Sequence, residues 1–345
     1  MNILLLSNMG ASLRNPSQGV FVRRQFNALN RLKSSQEQLY LYEMPEKALF
    51  AKSSLTKYTA FFLGFFKRFF VHKAKLDVIH VHFFFPTILL AVIYKCLRNR
   101  RVKIIVTFHG SDIYHYSNPN KLYRYCVKFI DHAIFVSQDL KKRFYKSEID
   151  SSIFSAGILS DFAVKKTAEK EFDFIFVGTL DENKGAKRLI ELCEKLKDSY
   201  KFLVVGKGPY QAYFSESTHS NIAYIPHLDS TELASYYQKS LWGLSLSHKE
   251  SFGLVISEAM ACGTPVIATN TDGSRAQIDS MENGFLIAQS EELVKSIREV
   301  VHNTSDTDYQ ALSNKAAARA KKENVNIIAQ NIFALYRKIA IYNES

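Results

Sequence analysis

Short runs of Val, Ile, Leu and Phe, apolar on both faces, recur along this chain with helix-period segments between them. In the first half they are NILLLS (2–7), LYLYEM (39–44), DVIHVH (77–82), VKIIVTFH (102–109) and HAIFVS (132–137). Helical patterns fill 20–33, 55–75, 86–98, 121–130 and 138–146. The series restarts with FDFIFVG (172–178), KFLVVG (201–206), NIAYIP (221–226), WGLSLS (242–247) and TPVIAT (264–269). A strand that is apolar on both faces needs cover on both, which a parallel sheet between two helical layers supplies. Two such series, parted by the polar stretch SDFAVKKTAEKE (160–171), predict an α/β chain of two doubly wound, Rossmann-like domains facing each other across a cleft. In the tail, Ile328, Ile332, Leu335, Tyr336 and Ile339 share one helical face, so a C-terminal helix is expected to dock back. The expected boundaries are 1–163, 164–325 and 326–345, the last packing toward the first domain. Ligands of open parallel sheets sit beyond the carboxyl ends of the strands, so the residues that follow each strand are the ones to read.

Composition excludes disordered and fibrous classes: 47% of residues are apolar and 23% charged. Charge is unevenly placed. Residues 1–170 hold 27 Lys and Arg against 11 Asp and Glu, whereas 171–345 hold 18 against 22. The basic half is expected to meet something anionic: a membrane surface, nucleic acid or a phosphorylated substrate. Cys96, Cys126, Cys193 and Cys262 are far apart, without metal spacing, and read as reduced core or near-core thiols of a cytoplasmic protein. MNILLLS is too short and lacks the basic flank of a signal peptide. The uncharged stretch 78–94 contains two His and Pro86, and divides into a strand and a helix started by Pro86 rather than a membrane span. SNMGAS after the first strand lacks GxGxxG, and Gly206-Lys207-Gly208 has no third glycine, which argues against a dinucleotide-dependent dehydrogenase.

The strand WGLSLS runs into His248-Lys249-Glu250-Ser251-Phe252-Gly253, then a helix from Leu254 to Ala261 closed by Gly263 at its C′ position. Amides at Gly253, Leu254 and Val255 would lack intrahelical partners, forming a site for an anion. Glu250 and Glu258 beside it suit a hydroxyl-rich group attached to phosphate. Taken singly, either Glu reads as a surface carboxylate or one complementing the helix dipole.

The whole stretch Glu250-SFGLVIS-Glu258, continued by AMACGTPVIATNTDGSRAQI, resembles the E-x7-E signature of the retaining glycosyltransferases of family 4, glycosyl transferases group 1, which have the GT-B fold. In matching order are NPSQGVFVRRQFNAL (15–29), HVHFFFPT (80–87), TFHGSD (107–112), SAGILSDF (155–162), FVGTLDENKGAKRLIEL (176–192) and VVGKGP (204–209). The resemblance implies a nucleotide-sugar donor, a UDP-sugar, transferred to a saccharide or lipid-linked acceptor in surface-polysaccharide or lipopolysaccharide synthesis. It implies that Glu258 holds ribose hydroxyls, Glu250 the sugar hydroxyls, and Lys184 the diphosphate. Ser251, Phe252 and the amides of Gly253, Leu254 and Val255 would meet sugar and β-phosphate. Gly178 would permit close backbone approach, His227 in the 226–228 turn would face the base, His109 would lie near the transferred sugar, and Gly19 would bring the first loop to the donor. The catalytic set it implies is His109, Glu250 and Lys184, with no metal and no cofactor. One departure is Thr179, where the family often has an Arg that pairs with Lys; Arg188, Lys187 or Lys207 could take its place. Gln18-Gly19 also stands for a frequent double glycine.

Other features read as structural. His80 and His82 point to one face of a strand without a metal set around them. Asp306-Thr307-Asp308 sits in a polar turn where helix capping explains it. Between Tyr58 and Lys75, Phe62, Phe65, Phe66 and Phe69 form a helical stripe widened by Phe61 and Phe70, beside Lys67, Arg68, Lys73 and Lys75. That stripe either packs on the sheet or lies in an anionic bilayer interface, making the protein soluble or peripheral on the inner face of the membrane. Nucleic-acid binding has no further support. Three alternatives remain open: a nucleotide-sugar epimerase or phosphorylase on the same fold, a non-catalytic sugar-nucleotide-binding membrane protein, and an inverting transferase.

Overall fold

A computed structural model of the chain describes residues 1–10, 19–49, 53–71, 74–116, 118–146, 148–165 and 169–341. The apolar runs form strands because each is buried on both faces: Ile3, Leu4, Leu5 and Leu6, for example, are all fully buried. The chain divides into two compact units, Met1–Gly157 with Val325–Ser345, and Ile158–Asn324.

The first unit carries strands β1 (Asn2–Ser7), β2 (Gln38–Tyr42), β3 (Val78–His82), β4 (Lys103–Phe108), β5 (His132–Phe135) and β6 (Ser151–Ile153). They form one parallel sheet in the order β2-β1-β3-β4-β5-β6. Its helices are α1 (Val20–Leu32), α2 (Glu46–Leu49), α3 (Ser54–Phe69), α4 (Ile88–Leu97), α5 (Ser111–Tyr114), α6 (Lys121–Val127) and α7 (Gln138–Arg143). The second unit has β7 (Phe172–Val177), β8 (Phe202–Val205), β9 (Ile222–Ile225), β10 (Ser240–Ser245), β11 (Val266–Thr269) and β12 (Gly284–Ile287), all parallel in the order β12-β11-β10-β7-β8-β9. Its helices are α8 (Ala186–Lys195), α9 (Gln211–Ser215), α10 (Ser230–Gln238), α11 (Leu254–Ala261), α12 (Asp272–Arg275), α13 (Leu293–Asn303) and α14 (Asp306–Ala320). The last helix, α15 (Val325–Ile341), belongs to the first unit and packs against α1. Both units are Rossmann-like, and the second has the doubly wound order whose direction reverses between β7 and β10.

The α15 face is as expected, with Ile328, Ile332 and Tyr336 buried and Phe333 and Ala329 added to it. Arg337 sits over the buried Phe333 ring, 4.8 Å from its centre, and donates from Nε and Nη2 to both carboxylate oxygens of Glu37 at 2.9 and 3.1 Å. The division between units falls at Gly157/Ile158, ahead of the expected 163/164, because Ile158 and Phe162 are core residues of the second unit. In α3 the buried stripe is Phe61, Phe65 and Phe69, at i, i+4 and i+8; of the expected stripe Phe65 and Phe69 are buried, while Phe62 and Phe66 are half-buried. Tyr42 fixes that register: its ring stacks on Phe61 and meets Phe65 and Phe69 edge-on, and its hydroxyl donates to the Phe61 carbonyl at 2.7 Å. Helix α4 begins at Ile88, two residues beyond Pro86. The cysteines are all free; three are buried, but Cys96 is exposed. Ser305 caps α14 by accepting from the Asp308 amide, so the Asp-Thr-Asp stretch is a helix start. No helix among the described residues is long and apolar enough to cross a membrane.

Candidate donor-binding site

Strands β7 and β10 are neighbours at the reversal point of the second sheet, and the loops that leave them bring together residues far apart in sequence. After β7 the chain turns through Gly178 to Gly185. Asp181 accepts from the Lys184 amide at 2.8 Å, and Gly185, at φ 81, starts α8. A Cβ on Gly185 would lie 2.2 Å from the Leu246 carbonyl oxygen, so only glycine lets this turn press on the end of β10. Above Gly178 there is room, since a Cβ would meet only the Phe176 ring, at 3.8 Å. After β10, the His248 amide donates to the Asn183 carbonyl at 2.7 Å and Asn183 Nδ2 to the Lys249 carbonyl at 3.1 Å, which ties the two loops together. The result is a direct ion pair between Lys184 Nζ and Glu250 Oε2, with the carboxylate largely buried.

Gly253, at φ 81, turns the chain into α11, and a Cβ there would meet Glu250 Cγ at 3.0 Å. Glycine at this point therefore serves both the left-handed turn and the seating of Glu250. Ser251, Leu254 and Val255 are half-buried, while Phe252 and Glu258 are 8% and 7% exposed. Glu258 lies one turn into α11, on the helix that opens beside Glu250. His227 is exposed past the end of β9, which is the edge of this sheet. Of the basic groups near Thr179, Lys187 is held by Glu182 at 2.9 Å, and Arg188 donates to the Leu246 carbonyl and Gln289. Lys207 is exposed, and its carbonyl accepts from the Leu180 amide at 2.9 Å.

Gln277 is a further organising residue, 2% exposed. Its Nε2 donates to the carbonyls of Phe252, Gly253 (3.2 Å) and Gly273 (3.1 Å), and its Oε1 accepts from Ser257. One amide thus holds the loop before α11 against the loop after β11. The Gly273 amide reinforces this by donating to the Glu250 carbonyl at 2.8 Å.

His109 and Gly19 lie in the first unit. Gly19 is the left-handed N-cap of α1, at φ 75; the preceding residues of that expected loop, 15–18, lie outside the described residues. Two residues on, the Phe21 ring packs 4.9 Å from His109, and Phe83 lies 4.6 Å from it on a backbone with φ 64. A non-glycine residue held there carries strain of about 1–3 kcal/mol, often found where geometry serves a site. Asp112 organises the turn after β4: its carboxylate accepts from the amides of Gly110 (2.9 Å), His109 (3.1 Å) and Phe84 (3.3 Å). Burial nonetheless pushes its pKa up to about 6. Burial also holds His80 and His109 down to about 3, and His82 well below its ordinary value. Among the described residues no three His, Cys, Asp or Glu side chains gather into a metal-binding group.

Two family models match in tandem, "Glycosyltransferase Family 4" over residues 28–153 and "Glycosyl transferases group 1" over 159–323. The chain belongs to the family 4, group 1 glycosyltransferases. It is 28% identical over 240 residues to an uncharacterized glycosyltransferase of Methanocaldococcus jannaschii, covering 66% of each chain. It is likewise 28% identical over 239 residues to the N-acetyl-alpha-D-glucosaminyl L-malate synthase of Bacillus anthracis, covering 62% of each. The matched region thus spans just under two thirds of these relatives' lengths. In fold it matches the Anabaena protein HepE in complex with UDP, with a TM-score of 0.73 at 17% identity over 98% of this chain and 100% of that one. This group 1 glycosyltransferase accordingly has the GT-B architecture of two Rossmann-like units.

Proposed function

We propose that this chain is a retaining, metal-independent glycosyltransferase that moves a sugar from a UDP-sugar to a saccharide or lipid-linked acceptor in cell-surface polysaccharide synthesis. The observation that carries the reading is the Lys184–Glu250 pair at the β7/β10 reversal point, beside the opening turn of α11. On this reading the diphosphate enters as a second anion, sharing the Lys184 ammonium and accepting from the α11 amides at Gly253, Leu254 and Val255. Glu250, Ser251 and Phe252 then meet the sugar, Glu258 the ribose hydroxyls, and the turn at His227 the base. Open space over Gly178 supports close approach by the donor. Lys207 is the basic residue best placed to assist Lys184 where Thr179 offers no charge. His109 orients the transferred sugar.

In the reaction, the acceptor oxygen bonds to the anomeric carbon as the bond from that carbon to the β-phosphate oxygen breaks. The electron pair leaves with the phosphate, which takes the acceptor's proton on the same face, so configuration is retained. Lys184 and the helix amides act where negative charge grows on the leaving group, which is where fixed positive charge lowers a barrier.

A membrane-bound acceptor has a specific observation in its favour. The outer side of α3 exposes Leu55 (79%) and Leu63 (64%), with Val71 (79%) just beyond it, next to Lys67 and Arg68. Titration calorimetry with UDP-, GDP- and ADP-sugars tests the donor site. The best donor should bind the native chain and lose at least tenfold in affinity in both Glu258→Ala and Lys184→Ala. Unchanged donor affinity in both variants would remove these residues from the site.

A further inference from the structure

We propose that Gln277 is a positioning residue that aims the Gly253 and Leu254 amides at the β-phosphate of the donor. This rests on the reading of the opening turn of α11 as the diphosphate site. Gln277 is 2% exposed, and its surroundings dictate which way its amide lies. The Ser257 hydroxyl donates to one end, and the other end meets three carbonyls, those of Phe252, Gly253 (3.2 Å) and Gly273 (3.1 Å). Carbonyls only accept, so the end that faces them is the NH2.

A trans peptide holds its C=O and N–H in one plane, pointing in opposite directions. Capture of the Phe252 carbonyl therefore turns the Gly253 N–H away from Gln277, and capture of the Gly253 carbonyl does the same for the Leu254 N–H. Among the described residues neither amide meets an acceptor. Gly253 and Leu254 are half-buried where Gln277 is fully buried, so both N–H groups aim from the core side toward the surface. The Gly273 amide draws the Glu250 carbonyl toward the loop after β11 in the same way, at 2.8 Å.

The turn does not hold that orientation by itself. Gly253 sits at φ 81, and glycine takes positive and negative φ about equally readily. Rotation of the Phe252–Gly253 peptide therefore meets little resistance from the backbone. In the rotated form a carbonyl oxygen stands where the amide was, and it repels a phosphate rather than binding it. Lys184 attracts the diphosphate whichever way this peptide lies. Gln277 decides between the two.

The test is the ratio of the dissociation constants of UMP and UDP, measured by titration calorimetry, because the two ligands differ only by the β-phosphate. The native chain should bind UDP about a hundredfold more tightly, since the β-phosphate adds charge-assisted hydrogen bonds. Gln277→Met keeps the length of the side chain and removes both N–H groups. It should cut the ratio about tenfold, the scale of a hydrogen bond to a charged group, with affinity for UMP within about twofold. A side chain that merely braces the fold would weaken UMP and UDP alike. An unchanged ratio in Gln277→Met, shown to be folded by Trp242 fluorescence, overturns the proposal. Should that variant not fold, Gln277→Glu keeps the shape and the oxygen that Ser257 meets, but offers the carbonyls at most one hydrogen. It should cut the ratio about threefold, and a native ratio there overturns the proposal equally. A native chain that binds UMP and UDP equally, or binds neither, defeats the functional reading and the proposal with it. A native preference for UDP that survives loss of Gln277 defeats the proposal alone.

Discussion

Lowering the pH from 7.5 to 5.5 is expected to cost the N-terminal unit about 3 kcal/mol of stability. Burial holds His80 and His109 down to about 3 and His82 well below its ordinary value, so all three rings are neutral in the folded chain across this range. In the unfolded chain each titrates near 6.5. The unfolded state therefore binds more protons as pH falls below 6.5, and stability rises with pH through that window. One unit below 6.5, each unfolded ring gains about 1.4 kcal/mol that its folded counterpart does not, about 4 kcal/mol for three. Asp112 opposes them. Its folded pKa is raised to about 6 by burial, against 3.8 unfolded, so at pH 5.5 the folded state takes up a proton that the unfolded chain declines. That restores about 0.8 kcal/mol, and the histidines win. The net loss is a large part of the 5–15 kcal/mol typical of a domain. Hydrogen exchange of β3 and β4 peptides, corrected for intrinsic rates, reads the first unit. The single tryptophan, Trp242 in β10, reads the second by fluorescence during urea unfolding. Protection of β3 and β4 that is equal or greater at pH 5.5 would refute the assignment of three neutral rings.

Two further outcomes follow from single contacts. Gln277→Leu strips partners from the Ser257 hydroxyl and from the carbonyls of Phe252, Gly253 and Gly273. At about 1–3 kcal/mol for each buried group left unpaired, with partial relaxation, the second unit should lose about 3–5 kcal/mol, seen as an earlier Trp242 urea midpoint. A midpoint shift under about 1 kcal/mol would mean that the loops are held otherwise. On the membrane reading, the chain should float with vesicles containing phosphatidylglycerol and be released by salt. Replacing Lys67 and Arg68 together by Ala should remove about 2 kcal/mol, roughly thirtyfold in partitioning, and binding that ignores salt or is absent counts against that surface.

The fold was legible where one element announces itself locally. Fully apolar runs marked ten of the twelve strands, and α11 was read to both its ends because an apolar helix lay between Gly253 and Gly263. The two strands missed are both sheet edges: SSI at 151–153 has a single apolar residue, and GFLI at 284–287 is a short apolar run that opens on Gly284 directly after a polar turn. The α3 stripe was read too broadly because six phenylalanines leave the helical phase ambiguous until Tyr42 selects the Phe61, Phe65 and Phe69 face. Lys184 and Glu250 were legible as members of motifs, but their pairing was not, since it arises from β7 and β10 lying side by side. Asp112, Gln277 and His82 were not assigned as site residues. Gln277 acts on backbone carbonyls, and the His82–His109 contact depends on the β3/β4 register. Neither relation leaves a periodic trace in the chain.

The uneven charge of the sequence follows the fold's own division. Met1–Gly157 with Val325–Ser345 holds 26 Lys and Arg against 10 Asp and Glu, and Ile158–Asn324 holds 19 against 23. If a broad positive field brought the doubly charged diphosphate of the donor to its site, the surplus would lie on the unit that carries Lys184. It lies on the other. At physiological ionic strength a field fades over about 8 Å, so on the proposed reading the diphosphate would be held by what touches it: the Lys184 ammonium paired with Glu250 and the amides that open α11. The second unit can thus be net acidic and still take an anionic donor. On the proposed reading, the surplus of 16 positive charges on the first unit serves instead something as extended as that unit's own surface. On the proposed reading that is the anionic membrane in which a lipid-linked acceptor resides.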